Sequence, residues 1–375
     1  MNAQNIDNKP KVQKETKNKI RVEFERTPLK ERLKAKFLSL YFLKKVVWYI
    51  FRLILLVGIS FIVLFPFFSM ITGSFMAPED FVDATVRLIP KNFTMETYKQ
   101  IWIENRYVEA FVNTLILSLS SALIQTFVCC LVAYGLAKFK FKGNGLIFMA
   151  VIFSLIIPHQ TLRSAMFFNF RFFDILGIGQ LLNGEGITFF THTINNSFLS
   201  SLDIIPSTFE MFPDGATGIN LLNTYWPLII LSVGALAFKN GLYIFMLRQF
   251  FKGVPDELEE SAYIDGSGVF HTFFTIILPL SVPMMITVFL FAFSWQWTDK
   301  FYSVIFFPND DKVWLMPSVI KSIPKTLDTE TGGTFYQQAI KGTGAIMVIL
   351  PLVIMYLFCQ KFLVQGIERS GLTAD

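Results

Sequence analysis

Residues 46–72 read VVWYIFRLILLVGISFIVLFPFFSMIT, a run of 27 positions whose sole charged residue is Arg52. At 1.5 Å of helical rise per residue, about 20 apolar residues reach across the hydrocarbon layer of a bilayer. The run is long enough to span and too long for the apolar part of a cleavable signal peptide, and the 45 residues ahead of it are too polar for one. It is expected to stay in the membrane as a helix.

Five further segments qualify as spans: Val112–Leu136, Gly145–Phe172, Tyr225–Leu247, Pro279–Trp297 and Gly342–Leu363. The third and fourth spans in chain order, Gly145–Phe172 and Tyr225–Leu247, are interrupted by polar residues. No segment shows the period-two alternation of a barrel strand, so the reading is an all-α integral membrane protein with six transmembrane helices. Composition agrees: 53% of residues are hydrophobic, only 16% are charged, and the mean hydropathy is +0.50. Soluble domains carry about 25% charged residues. Cys129, Cys130 and Cys359 sit inside apolar runs and read as small core residues, neither a disulfide framework nor a zinc site.

Lys and Arg in the loops set the orientation. The sides holding the N-terminus, the Lys138/Lys140/Lys142 turn, the Arg248–His271 loop and the C-terminal tail carry 20, against 9 in the opposite loops. Both termini are expected in the cytoplasm. Residues 1–45 form a basic tail; its first 36 residues mix Lys, Arg and Glu with polar residues and read as solvated chain near anionic lipid. No aromatic stacking pattern supports a nucleic-acid partner.

The loop at 248–278 contains Pro255-Asp256-Glu257-Leu258-Glu259-Glu260-Ser261-Ala262-Tyr263-Ile264-Asp265-Gly266. Pro255 suits a first helical position, and Asp256, Glu257 and Glu259 complement the positive end of a helix dipole. Gly266 suits a left-handed cap. Ser261 and Ala262 let another surface approach closely. The loop is acidic on a side expected to be basic, so something other than topology placed those charges.

Glu260-Ser261-Ala262, then Gly266, Ile276 and Leu278-Pro279, resembles the signature of binding-protein-dependent ABC importer permeases: E-A-A, three residues, G, nine residues, I-x-L-P. Ser261 is the one departure and keeps a small side chain. The resemblance extends over most of residues 45–366 and is nearest the maltose-type carbohydrate branch, in particular its smaller permease subunit. Phe111-Val112-Asn113-Thr114, Ala133-Tyr134-Gly135-Leu136-Ala137-Lys138-Phe139, Leu222-Asn223-Thr224-Tyr225-Trp226, Trp295-Gln296-Trp297-Thr298-Asp299 and Gln360–Ile367 carry it.

The resemblance implies a type I ABC importer permease fold over 46–366, with a short cytoplasmic tail at 367–375. Residues Glu259, Glu260, Ser261, Ala262, Asp265 and Gly266 would form a coupling helix that docks on an ATPase. It implies a pair of ATPase subunits that use ATP and Mg, a second related permease, an external solute-binding protein, and a place in the bacterial cell membrane. The function implied is import of sugars or oligosaccharides by alternating access. No G-x-x-x-x-G-K-[ST] pattern occurs, so ATP hydrolysis is assigned to a partner. The chain itself reads as a transport subunit without catalytic residues, metal ligands or bound cofactor.

Within the spans, each charge costs about 2.5–3.5 kcal/mol near the bilayer centre and needs a reason. Lys239, followed by Asn240-Gly241, faces the subunit interface or a translocation path near a hinge, or else forms a structural ion pair or snorkels. His159, Gln160 and Arg163 follow Pro158, where a kink would expose polar groups to a cavity. Trp295, Trp297 and Asp299 offer sugar-stacking and hydroxyl-accepting groups, or an interfacial belt. The stretch from about 179 to 220 lacks Lys and Arg, is rich in Phe, and reads as an extracellular insertion that contacts the binding protein, caps the path or packs on itself.

Two other transport readings stay open. Importers of non-sugar solutes share the docking motif. An ion-coupled secondary transporter needs membrane-buried acids, and here all Asp and Glu fall in loops, tails or span edges. A membrane-embedded enzyme finds no nucleophile–base pair, and His159, His192 and His271 are scattered.

Overall fold

The computed structural model describes residues 13–14, 20–21, 40–173, 220–237, 239–309 and 312–369. Two compact units divide the chain, residues 1–68 and 69–375. The first contains a two-residue antiparallel ladder, β1 (Gln13–Lys14) with β2 (Ile20–Arg21), pairing Gln13 with Arg21 and Lys14 with Ile20. It also holds most of helix α1 (Leu40–Gly73), which continues through Pro66. Most of the basic tail, and residues 179–219 of the expected insertion, lie outside the described residues.

Apart from that ladder and one isolated bridge between Met76 and Phe93, the regular structure among the described residues is helical. Short α2 (Glu96–Glu104) leads into α3 (Tyr107–Lys138), and α4 (Asn144–Ile156) is followed by a 3-10 turn at His159–Leu162 and by α5 (Arg163–Arg171). Then come α6 (Trp226–Val233), α7 (Asn240–Lys252), α8 (Glu257–Ile264) and α9 (Val269–Trp297). The chain continues through α10 (Phe301–Phe306) and α11 (Met316–Lys321) to α12 (Thr329–Arg369), which bends at Gly333.

Helix α3 is the centre of the larger unit and packs against α6, α7, α9 and α11. Its inward face is small: Ala110, Ser118, Ser121, Ala122, Cys129, Cys130 and Ala133 are fully buried. Lipid supplies little hydrophobic drive between helices, so close backbone approach over small residues is what holds such a bundle. Cys129 and Cys130 are core residues as expected, and Cys359 is half-buried.

Judged by length and apolar composition, four described helices are able to cross a membrane: α1, α3, α9 and α12. The protein is thus a multi-pass membrane protein. Helix α4 and the segment from His159 to Arg171 make a fifth span only as a pair bent by 92°. Pro158 accounts for the bend, since it lacks an N–H and disfavours helix in the residue before it.

The expected span over Tyr225–Leu247, interrupted by polar residues in the sequence, is two helices, α6 and α7. Ala235 and Lys239 between them adopt left-handed backbone, with φ of 54° and 76°. The N–H groups of Leu236 and Ala237 both turn back to the Leu231 carbonyl, which ends α6. In helix α9 the first turn, Val269–Thr272, is followed by a π-helical stretch, Phe273–Ile277, directly before Leu278-Pro279. Pro279 has no N–H to donate to the previous turn, and the wider π turn adjoins that gap.

Gly241 marks the closest approach of α7 to α4. A Cβ there would lie 2.8 Å from Ser154 Oγ and 2.9 Å from the Val151 carbonyl. Gly241→Ala is expected to cost about 1–3 kcal/mol by overpacking and to lower the melting temperature in detergent. Gly135→Ala, where nothing lies within 4 Å of an added Cβ, serves as the control. Equal melting temperatures for the two variants would show that α4 and α7 do not meet at Gly241.

Candidate functional site

Helix α8 starts one residue after Asp256, so Pro255 precedes the cap and does not hold the first helical position. The Asp256 side chain does not cap the helix. Its Oδ1 accepts a 2.6 Å hydrogen bond from the Lys138 ammonium, and that bond holds the Asp256 carboxyl below its ordinary pKa. At the other end, Gly266 has φ of 86° and Ser267 N–H donates to the Ala262 carbonyl at 2.9 Å. That is the six-to-one closure of a left-handed glycine cap, as the sequence implied.

The expected docking residues divide between two faces. Glu260, Ser261, Asp265 and Gly266 are exposed, whereas Glu259 and Ala262 are buried. Ser261 donates its hydroxyl back to the Glu257 carbonyl at 2.7 Å, so it presents a small, self-satisfied surface. Ile264 and Phe270 are 86% and 79% exposed beside this face.

Glu259 points inward to the end of α3. Its Oε1 lies 3.7 Å from Lys138 Nζ, with both side chains over 90% buried, and its Oε2 accepts a long 3.4 Å bond from Tyr134. Lys138 also donates to the Val254 carbonyl at 2.7 Å. Two residues back, the Leu136 carbonyl accepts from Arg248 Nε and Asn144 Nδ2, each at 3.2 Å. The last turn of α3 therefore joins α4, α7 and α8. Sequence reasoning used Lys138 for topology and within the stretch that carries the family resemblance, and missed this role. The readable signal was a lysine closing a span opposite an acid-rich loop.

The translocation-path candidates fall into separate places. Lys239 Nζ stands 4.6 Å over the Trp295 ring, a cation–π contact. Trp295 and Asp299 share a small cavity of about 20 Å³ with Gln125, Tyr243, Gln296 and Tyr302, roomy enough for a water molecule. Asp299 is half-buried and accepts backbone N–H bonds from Phe301, Tyr302 and Ser303 at 2.8–3.3 Å.

His159 lines a different, largely apolar cavity of about 590 Å³ with Asn169, Phe170 and Leu231. Gln160 and Arg163 are exposed. Asn240 is 1% exposed, and neither polar atom of its amide has a hydrogen-bond partner among the described residues. Trp297 lies in the packed interior. It is 1% exposed, donates Nε1–H to the Val348 carbonyl at 2.9 Å and stacks on Phe293.

Trp297→Ala is expected to cost about 3–5 kcal/mol and to abolish a monodisperse peak in size-exclusion chromatography. Trp295→Ala, at a position 38% exposed, should leave that peak intact. The reverse pattern would mean that the two indoles have been assigned to the wrong sides of α9.

No protein-family model matches the chain. It is 26% identical over 322 residues to Protein LplC of Bacillus subtilis (strain 168), covering 84% of this chain and 91% of that protein. It is 26% identical over 310 residues to the melibiose/raffinose/stachyose import permease protein MelC of the same organism, covering 82% and 90%. Among solved structures, it is similar to a bacterial alginate ABC transporter in complex with an alginate pentasaccharide-bound periplasmic protein. There the TM-score is 0.55 at 14% identity, over 89% of this chain and 96% of that one. At that identity the likeness is one of fold.

Proposed function

We propose that this chain is the membrane-spanning permease subunit of an ATP-driven, binding-protein-dependent importer for sugars or oligosaccharides. Similarity along most of the chain to a melibiose/raffinose/stachyose import permease supports the carbohydrate assignment. The observation that carries the docking role is the outer face of α8. It sets Glu260, Ser261 and Asp265 beside the exposed side chains of Ile264 and Phe270. Large apolar side chains exposed beside small and acidic ones suit contact with a partner protein.

In this reading, six spans cross the membrane, the fourth in chain order being the broken pair α6 and α7. Both termini lie in the cytoplasm. A second related permease completes the transmembrane pathway, two ATPase subunits bind ATP and Mg, and an external protein delivers solute. Residues of the 179–220 stretch contact that protein or cap the path. Lys239, Trp295 and Asp299, gathered near the break between α6 and α7, are the best placed of the path candidates. ATP closes the ATPase pair, the coupling helices move with it, and the spans open to the loaded binding protein.

The test is affinity purification of the tagged chain in mild detergent, with and without Glu260→Lys, followed by identification of co-purifying subunits. An ATPase recovered with the native chain and lost with the variant is the expected result. Absence of any ATPase from an otherwise intact native assembly would overturn the proposal and bring forward the ion-coupled alternative.

A further inference from the structure

Resting on the permease reading, a second role follows from the inner face of α8. We infer that Lys138, with Glu259 as its buried counter-charge, is the strut that carries displacement of the docking segment into α3. It is a positioning residue of the transport cycle; it does not touch solute or nucleotide.

The argument starts from the ammonium. Lysine has three donors and no acceptor, so a buried one must find up to three oxygens. The Lys138 side chain is 6% exposed; its ammonium donates to the Val254 carbonyl and to Asp256 at 2.7 and 2.6 Å, and lies 3.7 Å from Glu259 Oε1 as an ion pair without a hydrogen bond. These three residues span the entry to α8 and its first turn, so one side chain holds the segment at three points. The helix packs its backbone chiefly against the residues that follow it at the start of α9, and toward α3 the link is made by side chains.

The two members of the strut differ in exposure, and that difference decides which matters. The Asp256 side chain is 79% exposed, and an exposed partner is screened by water and salt. Glu259 is 9% exposed at its side chain, so little of it is open to water. Separating it from Lys138 would leave a buried carboxylate without its counter-charge, while the ammonium keeps Asp256. A push on α8 is therefore transmitted more readily than it is absorbed by breaking the pair. The Tyr134 hydroxyl, one turn back along α3, holds the other Glu259 oxygen and fixes the carboxylate toward the same helix.

The adjacent glutamates thus have opposite duties. Glu260 is exposed and meets the partner, whereas Glu259 faces inward and meets α3. The receiving turn of α3 is itself anchored to α4 by Asn144 and to α7 by Arg248, so motion entering there is shared among three helices.

The experiment places a reporter cysteine at Val112, 44% exposed and about 39 Å along α3 from Lys138 at 1.5 Å per residue. A Cys359→Ser background removes the half-buried native thiol, and Cys129 and Cys130 are fully buried. The complex is purified in mild detergent, and maleimide labelling is compared in ADP and in ATP with vanadate. With Lys138 intact the labelling rate should change between the two states. In Lys138→Met that change should shrink about ten-fold, within the range of coupling between linked sites, while ATPase recovery and basal hydrolysis persist.

Lys138→Arg should restore the response. The double variant Lys138→Met/Glu259→Gln leaves no unpaired buried charge, and it should remain folded yet unresponsive, which carries the test if the single variant misfolds. A response of native size in the double variant would overturn the strut, as would an unresponsive native complex that contains its ATPase. Failure of the native chain to bring down any ATPase overturns the permease reading instead.

Discussion

A lysine ammonium without water must be surrounded by oxygen, and Lys138 meets that requirement at the place where the membrane bundle ends and the loop 248–278 begins. Its three partners come from the turn before α8 and from α8 itself. Lysine near a helix C-terminus is also favoured by the helix dipole, and Lys138 closes α3. One side chain thus settles two local problems: the end of a long span and the position of a short helix. The remaining polar ties at this end, from Asn144 and Arg248 to Leu136, converge on the same turn.

Helix α3 can serve as a hub because of what its sequence leaves out. Its buried face is built from Ala, Ser, Thr and Cys, with large residues confined mainly to its ends and lipid side. Neighbouring helices approach its backbone, and larger side chains from α7 and α9, such as Tyr243, Phe251 and Met284, fill the space beside it. Two of its buried hydroxyls, Ser118 and Ser121, have no hydrogen-bond partner among the described residues. Gln125 pairs with Ser232 on α6. A polar stripe of this kind inside an apolar bundle lies next to the small cavity that contains Trp295 and Asp299.

Much of this was legible in the chain, for a simple reason. Long apolar runs leave few alternatives in a membrane, so α1, α3, α9 and α12 follow from hydropathy alone. The break between α6 and α7 did not, because averaging over a window cannot register left-handed backbone at Ala235; Lys239-Asn240-Gly241 was the visible hint. Trp295 and Trp297 were indistinguishable in the sequence. Two residues apart on a helix, they point about 200° from each other, and only the packing of α9 against α3 and α12 decides which is buried. The cap at Gly266 was legible because a left-handed C-terminal closure has a residue signature. The ion pair between Lys138 and Glu259 was not, since it joins positions 121 residues apart.

The size of α8 gives these observations their order. At eight residues it is well below the roughly 12–15 residues at which an isolated helix becomes even marginal in water. Its helical state must come from outside: from the acidic first turn against the dipole, from the glycine cap, and from the inward bonds of Glu259 and Asp256. The first two fix that a helix forms, but they do not fix where it sits. Its position is set by the bonds to α3, and those bonds belong to a span. A docking surface borne on such a segment is thereby oriented by the transmembrane bundle. By the same mechanical logic, a partner that grips the outer face acts on the bundle through the inner one.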